Sequence, residues 1–158
     1  MLKVRDLMSP SVFTVAADDS AQSAAESLAV AGISGAPVRD NVGALVGIVS
    51  QADLTNARLA GRRRHPTVSD MMTPDLLGVY EDDPALAAAL EMANHDIHRV
   101  LVWNAEGEVA GIVTSLDLVK AIARGADFRV ETSDFDAVPR RRPVEWKENR
   151  IAGSSLRR

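Results

Sequence analysis

The chain contains itself twice. Gly47-Ile48-Val49-Ser50-Gln51-Ala52-Asp53 returns, 64 residues later, as Gly111-Ile112-Val113-Thr114-Ser115-Leu116-Asp117. The same offset carries Asp6 and Met8 to Asp70 and Met72, Pro10 to Pro74, and Asp18-Asp19 to Asp82-Asp83. Ala21, Ala24, Ala25 and Ala29 return as Ala85, Ala88, Ala89 and Ala93, and Gly43 and Gly61 as Gly107 and Gly125. About a third of positions match without a gap, which defines an internal duplication. A copy of about sixty residues buries little surface alone. The two copies are therefore expected to form one pseudo-symmetric pair.

Each copy reads strand, helix, strand, strand, helix. Phe13-Thr14-Val15 and Leu77-Gly78-Val79 are short strands. Asp19 and Asp83 read as helix N-caps, with Gln22 at N3 in the first copy and Pro84 at N1 in the second. Ala21, Ala24, Ala25, Leu28 and Ala29 follow the spacing of a buried helical face, repeated by Ala85, Ala88, Ala89, Met92 and Ala93. Gly32 is placed to end the first helix. Two strands follow in each copy, Ala36–Val38 with Leu45–Val49 and Val100–Trp103 with Val109–Val113. Each pair is a hairpin with Gly43 or Gly107 where φ > 0 is needed. A last helix spans roughly 51–60 and 115–124. The fold class is α/β, two repeats packed through their sheets. The expected organisation is a first domain over 1–61, a linker over 62–67, a second domain over 68–125 and a tail over 126–158. The tail has no sustained period and is expected to be mobile, with one segment near Val144-Glu145-Trp146 available to a partner.

Composition excludes several classes. There is no cysteine, so there is no disulfide, thiol nucleophile or thiolate metal site. Met1-Leu2-Lys3-Val4-Arg5-Asp6 has no apolar core of a signal peptide, and no apolar run nears the ~18 residues of a membrane span. A cytoplasmic setting is expected. Residues 1–125 hold ten Lys/Arg and sixteen Asp/Glu, against eight and six in 126–158. The acidic body argues against nucleic-acid binding there, and the basic tail leaves a smaller opening for it.

Ser50-x-x-Asp53 and Thr114-x-x-Asp117 follow the last strand of each copy. The pattern fits a helix cap, and it also sets a carboxylate beside a helix N-terminus, where it can accept from two ribose hydroxyls while backbone N–H groups suit phosphate. The readings are compatible. Gly35-Ala36-Pro37 puts exposed backbone beside a flat base or relieves strain at a hairpin entry. Thr14-Val15 and Gly78-Val79 line a base or fill the core. His98-Arg99, leading into Val100, is either a solvated strand start or a phosphate clamp, since Arg offers a forked donor set. The first copy has Ser34-Gly35 there, so the copies are not equivalent. His95, Asp96 and His98 make no expected metal site, because a helix end falls between the histidines. No nucleophile–base pair, metal centre or glycine-rich phosphate loop is visible, so no enzyme activity is expected. The Arg62–Arg64 run reads as a solvated linker or a reach to a ligand phosphate, and Arg140–Arg142 as a solvated tail or a contact with nucleic acid or an acidic partner.

Tandem β-α-β-β-α copies with "DLMSP" and "DMMTP" openings, Ile33–Val38, Ile97–Val102, and the GIVSQAD and GIVTSLD turns resemble a pair of cystathionine-β-synthase-type (CBS) domains, a Bateman module. The resemblance covers about residues 2–125. It implies a regulatory module that requires no cofactor and binds an adenine nucleotide (AMP, ADP or ATP) or an S-adenosylmethionine-like ligand in clefts between the domains. It also implies disc-like dimers and a regulated partner protein, and favours Ser50, Asp53, Thr114 and Asp117 with the strand residues above as ligand contacts. An alternative is a scaffold with vestigial clefts and a tail that contacts nucleic acid. The alanine-rich helices, with Ala24, Ala25, Ala88 and Ala89, suggest a homodimer face.

Overall fold

The computed structural model describes residues 1–129. The stretches Arg140–Arg142 and Val144-Glu145-Trp146 lie outside them. The chain divides into two compact units, and they cut across the repeats. One unit is Val12–Leu76. The other joins Met1–Ser11 to the described residues from Leu77 to Arg129.

In the Val12–Leu76 unit, β1 (Val15–Ala16) runs parallel to β2 (Gly35–Arg39), and β2 pairs antiparallel with β3 (Leu45–Ser50). The helix α1 (Ala21–Ala31) makes the parallel crossover. It buries Ala21, Ala24 and Leu28 against Val15, Val38 and Val49. Gly32 ends it in the left-handed region, φ 68°. The other unit repeats the plan with β4 (Gly78–Tyr80), α5 (Ala85–His95), β5 (Arg99–Trp103) and β6 (Val109–Thr114). Its core holds Val79, Ala88, Met92, Val100, Val102 and Val113. Here α5 ends on Asp96 at φ 53°, a non-glycine residue in the left-handed region. Both hairpin glycines adopt the expected positive φ, 86° at Gly43 and 81° at Gly107.

Each opening segment docks on the repeat it does not begin. Ser9 and Ile112 exchange backbone hydrogen bonds of 2.9 and 3.0 Å, and Ile48 and Thr73 exchange two of 2.8 Å. Gly111 and Gly47 sit beneath these contacts. A Cβ at either would lie 2.7 Å from the Ser9 carbonyl or 2.6 Å from the Thr73 carbonyl, so the approach requires glycine. The openings also satisfy first-turn amides of the helices: Ala21 N–H donates to the Pro66 carbonyl and Ala85 N–H to that of Leu2, both at 2.9 Å. The second opening forms α4 (Val68–Met71), and the first a single 3-10 turn, Val4–Asp6.

Four local expectations are corrected. Ser20 caps α1, its Oγ accepting from the Ser23 N–H. The Asp19 carboxylate accepts instead from the Ala16 N–H and closes the preceding turn. Asp83 does the same for the Tyr80 N–H, and Pro84 holds the cap position of α5. The helix expected over 51–60 breaks into α2 (Gln51–Leu54) and α3 (Ala57–Ala60), because Thr55 Oγ1 donates back to the Gln51 carbonyl and the Asn56 side chain caps a new start at the Arg58 N–H. Its counterpart α6 (Ser115–Ala123) has Val119 and Lys120 at those places and is continuous. Finally, Ala24 and Ala88 are 1% and 0% exposed inside their own units. They cannot supply a dimer face. Among the described residues, no helix is long and apolar enough to cross a membrane.

Candidate functional site

Pairing register brings the singled-out residues to one end of each sheet. In the Val12–Leu76 unit Gly35 stands opposite Ser50, and β1, led by half-buried Thr14, flanks β2 on its other side. In the second-repeat unit Arg99 stands opposite Thr114, with β4 beside β5. The helix that follows each hairpin starts against the strand entry: the Gln51 N–H donates to the Ser34 carbonyl at 2.9 Å, and the Ser115 N–H to the His98 carbonyl at 3.0 Å.

The aspartates close capping boxes. Asp53 Oδ2 accepts from Ser50 N–H and Ser50 Oγ, both at 2.8 Å, and Asp53 N–H donates to Ser50 Oγ at 3.1 Å. Asp117 Oδ2 accepts from Thr114 N–H at 2.8 Å and from Thr114 Oγ1 at 2.7 Å; Asp117 N–H reaches Thr114 Oγ1 at 3.4 Å. The hydroxyls are thus spent on the helix starts, as the capping reading requires. Capping alone does not mark a binding site, since Thr67 and Asp70 build the same box at α4. The second carboxylate oxygen separates the three. Arg63 Nε lies 3.0 Å from Asp70 Oδ1, and the hydrogen bonds from Thr67 with this guanidinium hold the Asp70 carboxyl below its usual range. Oδ1 of Asp53 and of Asp117 accepts no hydrogen bond among the described residues. Both aspartates are half-buried. Each therefore offers an acceptor with two lone pairs at the end of a strand.

Other candidates have structural duties. The side chains of Val15, Ala36, Val79 and Val100 belong to the unit cores, which leaves only their backbone to face a ligand. Gly35 and Pro37 are buried in β2. A Cβ at Gly78 would lie 2.5 Å from Trp103 Nε1 and 2.6 Å from the Leu101 carbonyl, so packing already demands this glycine. His98 is exposed and Arg99 half-buried. His95 turns its Nδ1 to Glu91, 3.0 Å from the carbonyl and 3.4 Å from Oε1. Among the described residues no group of three or more His, Cys, Asp or Glu is arranged to hold a metal. The Thr67–Asp70 box escaped the sequence reading, although T-x-x-D before Val68 was the available signal.

Fold, duplication and capped aspartates together define a tandem-repeat α/β module. The CBS domain family model matches residues 4–60 and 68–124, and the chain belongs to this family. It is similar to the crystal structure of the CBS domain pair of protein MJ0100 in complex with 5′-methylthioadenosine and S-adenosyl-L-methionine, at 29% identity and a TM-score of 0.70, covering 79% of this chain and 98% of that one. It is also similar to CBSX2 in complex with AMP, at 30% identity and a TM-score of 0.66, covering 78% and 98%; CBSX2 is from Arabidopsis thaliana. An L-aspartate semialdehyde sulfurtransferase of Methanocaldococcus jannaschii is 31% identical over 115 residues, 73% of this chain and 22% of that protein. The chain thus spans about a fifth of the length of that enzyme.

Proposed function

We propose that this chain is a regulatory module that binds an adenosine-containing ligand and signals occupancy by a change of conformation, without catalysing a reaction. One observation carries the reading: each repeat presents a capped aspartate whose Oδ1 is unengaged among the described residues, at the strand end beside a glycine or arginine of the facing strand. The solved relatives with AMP, S-adenosyl-L-methionine and 5′-methylthioadenosine support the adenosyl class. In this reading Asp53 and Asp117 accept from ribose hydroxyls, and the backbone of Gly35–Pro37 and Gly78–Val79 lies beside the base. His98 and Arg99 take phosphate. A phosphorylated adenosine then prefers the second-repeat residues, and the first set takes an adenosyl group of lower charge. Ligand that binds one arrangement better shifts the population, and a partner protein reads the shift. The working form is a homodimer.

A thermal-shift panel of AMP, ATP, S-adenosylmethionine and NAD tests the ligand class. A bound ligand at a hundred times its Kd stabilises by about 2.7 kcal/mol, a shift of about 5–10 °C for a chain this size. A panel in which no adenosine compound moves the transition removes the proposal.

A further inference from the structure

The chain has no cysteine, so its sulfur lies in five methionines. Met71 and Met92 are 2% and 5% exposed inside the two cores, and Met1 is 73% exposed. Met8 and Met72 stand apart. They hold the same place in the two opening segments, half-buried at the rim of the second-repeat and first-repeat cores respectively. Each thioether is seated where a glycine of that repeat lacks a side chain. A Cβ at Gly111 would lie 2.8 Å from Met8 Sδ, and one at Gly47 would lie 2.7 Å from Met72 Sδ. Backbone closes the same seats, through the carbonyls of Ser9 and Thr73. Those carbonyls accept from the Ile112 and Ile48 N–H groups and hold each opening segment to its strand.

We infer that Met8 and Met72 are a pair of oxidation sites, and that a hydroperoxide acting on them releases the two opening segments. The thioether sulfur attacks the distal oxygen of the peroxide. The O–O bond breaks and an S–O bond forms. With hydrogen peroxide, the proton on the attacked oxygen passes to the departing one, which leaves as water. Sulfur loses an electron pair and the peroxide gains it. The step needs access to sulfur, which half-burial beside exposed Ser9, Pro10, Thr73 and Pro74 supplies and the inner positions of Met71 and Met92 deny. The product does not suit the seat. A sulfoxide turns a flexible apolar group into a polar one. Its oxygen is an acceptor, and the fixed polar group sharing the seat is another acceptor, the Ser9 or Thr73 carbonyl, whose partner N–H is already engaged. The sulfoxide must leave for water or contest that N–H, and either course parts the segment from the strand. Ile112 lies two residues before Thr114 and Ile48 two before Ser50, so the loosening reaches the capped starts of α6 and α2. Methionine sulfoxide reductases reverse the change.

Treatment of the full chain with hydrogen peroxide tests this. Peptide mass spectrometry should find oxygen added at Met8 and Met72 at least about tenfold faster than at Met71 and Met92. In the oxidised chain, amide exchange at Ser9, Ile48, Thr73 and Ile112 should quicken at least about tenfold, and it should slow again after treatment with methionine sulfoxide reductase. A chain carrying Met8→Leu with Met72→Leu keeps the apolar volume and should hold slow exchange through the same peroxide treatment. Equal oxidation at Met8, Met71, Met72 and Met92 overturns the assignment of the sites. Unchanged exchange in a chain that carries both sulfoxides overturns the release. Exchange that stays fast once the sulfoxides are reduced, or that quickens as much in the leucine chain, places the cause elsewhere and the inference fails.

Discussion

Arg99 stands directly opposite Thr114 across the antiparallel β5–β6 pair. Thr114 caps α6 and bonds Asp117. One strand register thus places a guanidinium-bearing residue and a capped carboxylate at the same end of one sheet. The matching pair in the first repeat is Gly35 and Ser50, which keeps the carboxylate and lacks the cation.

Capping and ligand contact should separate by mutation. Thr114→Val removes the cap hydroxyl and should cost ~1 kcal/mol of stability, with affinity for AMP within about threefold because that hydroxyl is already engaged. Asp117→Ala should cost about as much stability and weaken AMP about ten- to a hundred-fold. Denaturant titration and calorimetry on the two variants check this. Equal losses of affinity would assign the ligand contact to the hydroxyl.

Gly111→Ala should loosen the opening segment. The added Cβ meets backbone at Ser9 and not a side chain that can swing away. We expect a loss of ~1–3 kcal/mol and faster amide exchange at Ser9 and Ile112. Gly107→Ala, at a turn with open space and φ 81°, should cost ~1 kcal/mol through backbone strain and leave that exchange unchanged.

The fold extends beyond Gly125. Phe128 packs against the second-repeat core, and the Ala126 N–H donates to the Ala121 carbonyl at 3.0 Å. Phe128→Ala should cost ~1–3 kcal/mol, less than a fully buried phenylalanine, because the ring is half-buried. A truncation after Arg129 should melt higher than one after Gly125. Equal melting temperatures would remove Phe128 from the core.

Asp70 predicts part of the acid dependence. Its carboxyl is held below the usual carboxylate range by the Thr67 hydrogen bonds, with Arg63 adding to them. A folded pKa below the unfolded one stabilises at pH values above about 4 and is lost as pH falls through the folded value. Asp70→Asn should therefore lose stability at pH 6 and converge on the parent chain as pH falls through the folded value. Denaturant midpoints across that range provide the readout.

The repeat made much of this legible. A fixed offset marks both capping turns, both hairpin glycines and both crossover helices in the sequence itself. It could not say which opening segment serves which repeat, because Val4–Pro10 and Val68–Pro74 carry nearly the same pattern and the bonds that decide, Ser9 to Ile112 and Thr73 to Ile48, are long-range. Helical periodicity identified Ala24 and Ala88 as a packed face but not its partner, which proved to be their own units' cores. The break in the 51–60 helix came from Thr55 and Asn56 competing for backbone, a local contest that apolar spacing does not register.

In the proposed function a phosphorylated adenosine binds through the second-repeat residues. Calorimetric titration of AMP into the parent chain, Arg99→Ala and Asp53→Ala tests it most directly. Arg99→Ala should lose about ten- to a hundred-fold in affinity, the cost of one charge-assisted hydrogen bond, and Asp53→Ala should change less. Abolished binding in Asp53→Ala with intact binding in Arg99→Ala would contradict it and assign the nucleotide to the first repeat.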